Sequence, residues 1–179
     1  MRETIQNYFE KTKQYPDYYS NEDFSTICDD IKKEIDAGAF LVKRRDETDL
    51  SVFEEKYGYA LPTEINDYIN LFWHPCIRGY CNTKESIVLF SVLKKEGDSG
   101  DDILFYKNSL ISMAEDWEEI GDIKKFIPIG WLGYSGGYVL YEVSSHNIFL
   151  ENMDIDGKVE DKPIANSLKE LISNMNVVM

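Results

Sequence analysis

Gly133-Tyr134-Ser135-Gly136-Gly137 satisfies G-x-S-x-G, the spacing that presents a nucleophilic serine on a strained turn. The chemistry there would be acyl transfer, with Glu142 and His146 completing a Ser…Glu…His order. Such a turn needs a strand before the serine and a helix after it. A strand-like FIPIGWL precedes it, but the following YVLYEV has strand character too. Glu142 and His146 also lie within eleven residues of Ser135, which leaves little chain to fold back into a triad. The segment therefore reads as a glycine-rich β-turn, and no catalytic residue is assigned.

His74, Cys76 and Cys81 have the chemistry of metal ligands, but a structural zinc site wants four ligands in paired elements. The only other candidates, Cys28 and His146, are distant in sequence, so no metal or cofactor is expected. Asp154-Ile155-Asp156-Gly157 opens like a calcium loop, yet its glycine is fourth where the loop needs it sixth. It reads as a hairpin-type turn.

Carboxylates are the most abundant functional groups, and two clusters stand out. One is Glu115-Asp116-Trp117-Glu118-Glu119 with Asp122; the other spans Glu151, Asp154, Asp156, Glu160 and Asp161. Such runs are solvated faces or docking surfaces for a basic partner, with aromatic anchors of the kind that dominate interface energetics. The residues expected at a partner surface are Glu115, Asp116, Trp117, Glu118, Glu119, Trp131, Tyr134, Asp154 and Asp156.

The charge balance points the same way. The 179 residues carry 33 acids against 19 bases, a formal charge of -14, which opposes nucleic acid or an anionic membrane as partner. The excess is uneven: residues 1–45 hold 9 acids and 8 bases, whereas 46–179 hold 24 acids and 11 bases. Three scattered cysteines suit a reducing compartment. No apolar run approaches the roughly 20 residues that span a bilayer. MRETIQNYFEKTKQ has no apolar core of a secretory signal, so a cytoplasmic protein without membrane insertion is expected.

The elements that would hold these residues follow from periodicity. Ile5, Tyr8 and Phe9 share a face of a first helix that ends near Tyr15-Pro16. Ser20 or Asn21 would cap a second helix striped by Phe24, Ile27, Cys28, Ile31 and Ile35 and stopped by Gly38. Lys43-Arg44-Arg45 marks a join, giving a helical N-terminal extension over 1–45 and an α+β domain over 46–179.

Leu50, Phe53 and Tyr57 stripe a short helix closed by Gly58. Leu61-Pro62 opens the next, with Pro62 in its first turn, Ile65, Tyr68, Ile69 and Phe72 as its buried stripe and Trp73-His74-Pro75 as its end. Strands are expected at 87–93, 103–106, 126–132, 138–143 and 148–151, with a polar turn at 97–102. Helices are expected over 110–117 and along Ile164, Leu168, Leu171, Ile172 and Met175. Helices flanking a block of strands give an α+β class with a mainly antiparallel sheet.

Phe53–Pro75 (FEEKYGYALPTEINDYINLFWHP) resembles the opening signature of the SUKH superfamily: a helix ending in Gly, then Leu-Pro, then a helix with regularly spaced aromatic and aliphatic residues. Phe126–Asn152 is similar to that superfamily's strand-turn-strand-strand region, and the resemblance spans roughly residues 46–176. It implies an α+β fold and a non-catalytic binding protein. The members include bacterial immunity proteins that neutralise toxins, often nucleases, as well as yeast cell-wall-assembly regulators and Syd, which associates with the SecY translocon. The leading expectation is an immunity protein for a basic toxin. The alternative is a Syd-like factor at the translocon, suggested by Pro75…Gly79-Tyr80…Glu85 and the stretch from Phe126 on. Two loops depart from the superfamily pattern, at Trp73-His74-Pro75 and Gly133–Gly137, so the partner does not carry over.

Overall fold

A glycine and a proline set the first well-defined corner of the fold. Helix α3 (Ser51–Tyr57) closes on Gly58, whose φ of +79° is the left-handed conformation that glycine adopts without penalty. Pro62 then caps α4 (Thr63–Asn70) from just outside it, one position earlier than the expected first-turn proline. A computed structural model describes the chain apart from residues 16–17, 20–26, 37–39, 46, 94–108, 156 and 178–179 and the side chains of 35–36. The expected cap at Ser20 or Asn21, the Gly38 stop, the turn over 97–102 and the strand over 103–106 lie outside the described residues.

The fold is α+β. Strands β3 (Ile77–Gly79), β4 (Ile87–Leu89), β5 (Phe126–Leu132), β6 (Tyr138–Glu142) and β7 (Ile148–Leu150) form one antiparallel sheet in sequence order. A second, two-stranded ribbon pairs β1 (Val42–Lys43) with β2 (Phe72–Trp73). Helices α1 (Arg2–Thr12), α2 (Asp29–Asp36), α5 (Leu110–Glu118) and α6 (Leu168–Asn174) complete the described elements.

Several boundaries differ from the sequence expectation. Phe72 falls at the spacing of the α4 stripe, but the helix stops at Asn70 and Phe72-Trp73 turn into β2. Pro75 accounts for this, because it holds the residue before it in an extended conformation. His74 accordingly exchanges both backbone hydrogen bonds with Val92, at 2.8 and 2.9 Å. The second helix begins at Asp29, so Ile27 and Cys28 precede it. Ile164 likewise precedes α6 and donates its N–H to the Ile148 carbonyl at 2.7 Å.

Pro128 lies in the central strand β5, where it cannot donate to the ladder. The register shifts directly after it, between Pro128 and Gly130. Gly130 then lets β4 approach closely, since a Cβ there would stand 2.2 Å from the Val88 carbonyl oxygen. Both outer strands are covered. Tyr80, beyond β3, pairs with Asn176, and β7 is lined by Ile148–Ala165 and Glu151–Val159 bridges.

A single hydrophobic cluster draws on residues from Ile5 to Met175. Helix α1 packs on α6, and Tyr8 Oη donates to the Arg78 carbonyl at 2.7 Å and accepts from the Arg78 N–H at 2.9 Å. Residues of the 1–45 stretch thus share the core of the main sheet.

Candidate functional site

The turn that carries the serine motif joins β5 to β6, strand to strand. Gly136 takes its bend at φ +78°, Gly133 N–H donates to the Ser86 carbonyl at 2.8 Å, and Leu132 N–H donates to Gly137 at 2.7 Å. The Glu85 carboxylate grips the turn by accepting from the amides of Tyr134 (3.1 Å) and Ser135 (2.7 Å). Those donors, the Ser135 amide foremost, hold the Glu85 carboxyl below its ordinary range. His146 sits in the β6–β7 turn, at the other end of the five-residue strand β6 and so on the order of 17 Å away. The geometry keeps a Ser135–His146 pair apart.

One consequence is testable. Glu85→Gln removes a charge that two amides solvate, so the Tyr134 and Ser135 N–H groups should exchange with deuterium faster than in the parent. Because the Glu85 pKa is depressed, the parent itself should show the same loosening as pH falls through the carboxylate range, and Glu85→Gln should not. Exchange rates read by NMR at several pH values check both.

Three segments converge at the end of the sheet that holds this turn. The first is the turn itself, with Tyr134 at its tip, 94% exposed. The second follows β7: Asn152 N–H donates to Lys158 at 2.7 Å, closing a turn that carries Met153, Asp154 and Ile155. The third is the C-terminal end of α5, which leads to Ile120. Gly157 packs so closely on this end that a Cβ would lie 1.8 Å from the Ile120 carbonyl oxygen, and a Cβ on Gly137 would lie 2.1 Å from Met153 Sδ.

The result is an apolar face with an acidic rim. Ile120, Tyr134, Met153 and Ile155 are four of the five large apolar side chains exposed among the described residues. Asp116, Glu118, Glu119 and Asp154 are exposed on the same segments, together with one base, Lys158. Burial, with the Asp116 and Glu151 carboxylates nearby, pushes the Tyr138 hydroxyl up to about 12. The Glu151 carboxylate, itself buried, accepts from the Tyr138 N–H at 3.0 Å and ties β6 to the start of the second turn.

Of the residues singled out from sequence, Asp116, Glu118, Glu119, Tyr134 and Asp154 are exposed on these segments. Glu115 is exposed but engaged in an ion pair with Lys56 of α3. Trp117 cannot serve as an anchor: it is fully buried, with its ring edge-on to Tyr138 at 5.7 Å. Helical spacing from Leu110 through Met113 and Ala114 turns it inward despite its four acidic neighbours. Trp131 is half-buried in a row that crosses the sheet as Arg78, Val88, Trp131 and Tyr138. Asp156 lies outside the described residues.

The apolar residues Ile120, Met153 and Ile155 were missed. Their signal was present, because an aliphatic side chain set between acids in a turn has no core to enter. Among the described residues no three His, Cys, Asp or Glu side chains gather to hold a metal ion, and no helix is long and apolar enough to cross a membrane. His74 and Cys81 are buried and Cys76 is half-buried. No protein-family model matches the chain, and none of the characterised proteins compared with it is significantly similar.

Proposed function

We propose that this chain is a non-catalytic binding protein whose acid-rimmed apolar face docks a basic protein. The observation that carries the reading is the exposure of Ile120, Tyr134, Met153 and Ile155 on segments that meet through Gly157 and Gly137 and that also expose Asp116, Glu118, Glu119 and Asp154. Apolar side chains at the centre of such a face give up water on contact, while the surrounding carboxylates steer a cationic partner and select it. The SUKH resemblance makes the specific reading a cytoplasmic immunity protein that occludes a basic toxin domain, a nuclease being the leading class.

The test is growth rescue by co-expression with the toxin domain encoded beside this chain, followed by binding kinetics on the purified pair. Reversing Asp116, Glu118 and Glu119 to Lys should slow association by about tenfold or more at low salt, with the difference shrinking as salt rises. Tyr134→Ala with Met153→Ala should instead speed dissociation, each truncation costing about 1–2 kcal/mol of affinity. Absence of any rescue sinks the immunity reading. Recovery of the chain on membranes, released by high salt, would favour the Syd-like alternative.

A further inference from the structure

Away from the acidic face, α1 and the β1–β2 ribbon enclose a groove of about 380 Å³ with the opposite character. Its apolar wall is Phe9, Phe40, Leu41 and Phe72, and its rim carries three cations, Arg2, Lys13 and Lys43, against one carboxylate, Glu10, with Gln6 beside them. The Arg2 guanidinium carbon lies 5.4 Å from the centre of the Phe72 ring. Lys43 stands directly opposite Phe72 in the β1–β2 register. One cation therefore lies over this buried aromatic ring, and a second is its cross-strand neighbour.

The rim is not evenly neutralised. Lys13 is paired with Glu10 at 2.6 Å, but among the described residues no carboxylate bonds Arg2 or Lys43. In a chain with 33 acids, two cations with no carboxylate partner among the described residues, set beside one apolar floor, are a local reversal of the protein's field. Like charges brought together repel, and an anion seated between them removes that cost. The groove's volume falls within the range of small-molecule sites, which are mostly apolar with a few oriented polar groups.

We propose that this groove binds a small amphiphilic anion, a carboxylate or sulfonate with an apolar body. The anionic head sits between Arg2 and Lys43, and the body lies along Phe72, Phe9, Phe40 and Leu41. A purely inorganic anion would leave Phe40 and Leu41, the partly exposed half of the wall, in water. A neutral amphiphile would leave the cations unanswered. Both halves of the groove are used only by a ligand that has both characters.

The experiment titrates the full chain with decanoate, decanol, decyltrimethylammonium and acetate, using calorimetry for affinity and amide chemical shifts for location. Decanoate should bind one to one, about tenfold or more tighter than each of the other three, with shifts centred on Phe9, Lys43 and Phe72. The Arg2→Gln/Lys43→Gln double variant, with an unchanged melting temperature, should weaken decanoate by about tenfold and leave decanol unaffected. Equal binding of decanol overturns the proposal in favour of a merely apolar groove. Equal binding of acetate reduces the site to a charge patch and overturns it too, as do shifts that map elsewhere or no binding at all.

Discussion

Lowering the pH from 7 to 4 should cost the fold on the order of 3 kcal/mol through His74 alone. His74 is fully buried between the rings of Phe9 (5.7 Å) and Tyr68 (4.8 Å). Its Nδ1 lies 2.8 Å from the Pro75 carbonyl, which fixes the proton of the neutral ring on that nitrogen, and Nε2 makes no well-formed hydrogen bond. Burial lowers its pKa to about 4, opposed by the Pro75 and Tyr68 carbonyls and assisted by the charge of Arg44. The unfolded chain therefore takes up a proton near pH 6.5, where the folded protein does not. This stability is intact above about pH 6.5, drains away between there and pH 4, and is gone below.

Denaturant titrations from pH 7.5 to 4 would show the slope. In His74→Gln the portion between pH 6.5 and 5, where few carboxylates titrate, should flatten. A parent curve as flat as the variant's would mean that the ring is hydrated in the folded state. The other histidine, His146, is exposed in the β6–β7 turn.

Trp117→Ala should destabilise the protein by about 3–5 kcal/mol, the range for deleting a large buried aromatic side chain. The indole lies on Gly121, where a Cβ would stand 2.2 Å from its Cε2 atom, and against Tyr138. Removing it empties the space between α5 and the sheet and frees the helix end that carries Ile120 and three rim carboxylates. Urea unfolding followed by the fluorescence of Trp73 and Trp131 would read this directly. Were Trp117 an exposed anchor, the same change would move stability by no more than about 0.5 kcal/mol. A loss of binding in a Trp117 variant accordingly reports on folding, whereas Tyr134 and Met153 variants report on the face.

What the sequence revealed depended on whether a residue's role was local. Gly58, Leu61-Pro62 and the β5–β6 and β6–β7 turns were legible because backbone conformation there is dictated by glycine, proline or strand alternation within a few residues. The ends of α2 and α4 were not. Ile27 and Cys28 fall at helical spacing with Ile31, yet Ile27 forms an isolated backbone bridge before the helix starts. Phe72 continues the α4 period, but Val42 and Lys43, far back in the chain, claim that segment as a strand partner. The candidate face was half visible for the same reason. Its carboxylates announced themselves as runs, while the contacts that join Gly157 to Ile120 and Gly137 to Met153 connect segments with no common pattern.

The pairing of Tyr80 with Asn176 has a consequence in time. As the chain emerges during synthesis, β3 can find β4 almost at once, but the strand's outer neighbour does not exist until residue 176 has been made. Tyr8, made first, can already hold the Arg78 amide and carbonyl of that border, but through most of translation the Tyr80 amide and carbonyl stay open to a neighbouring nascent chain. The lid arrives late and from far away in sequence, a placement that slows the last step of folding. Speed of synthesis and crowding of ribosomes, more than the stability of the finished protein, would then set how much of it assembles correctly.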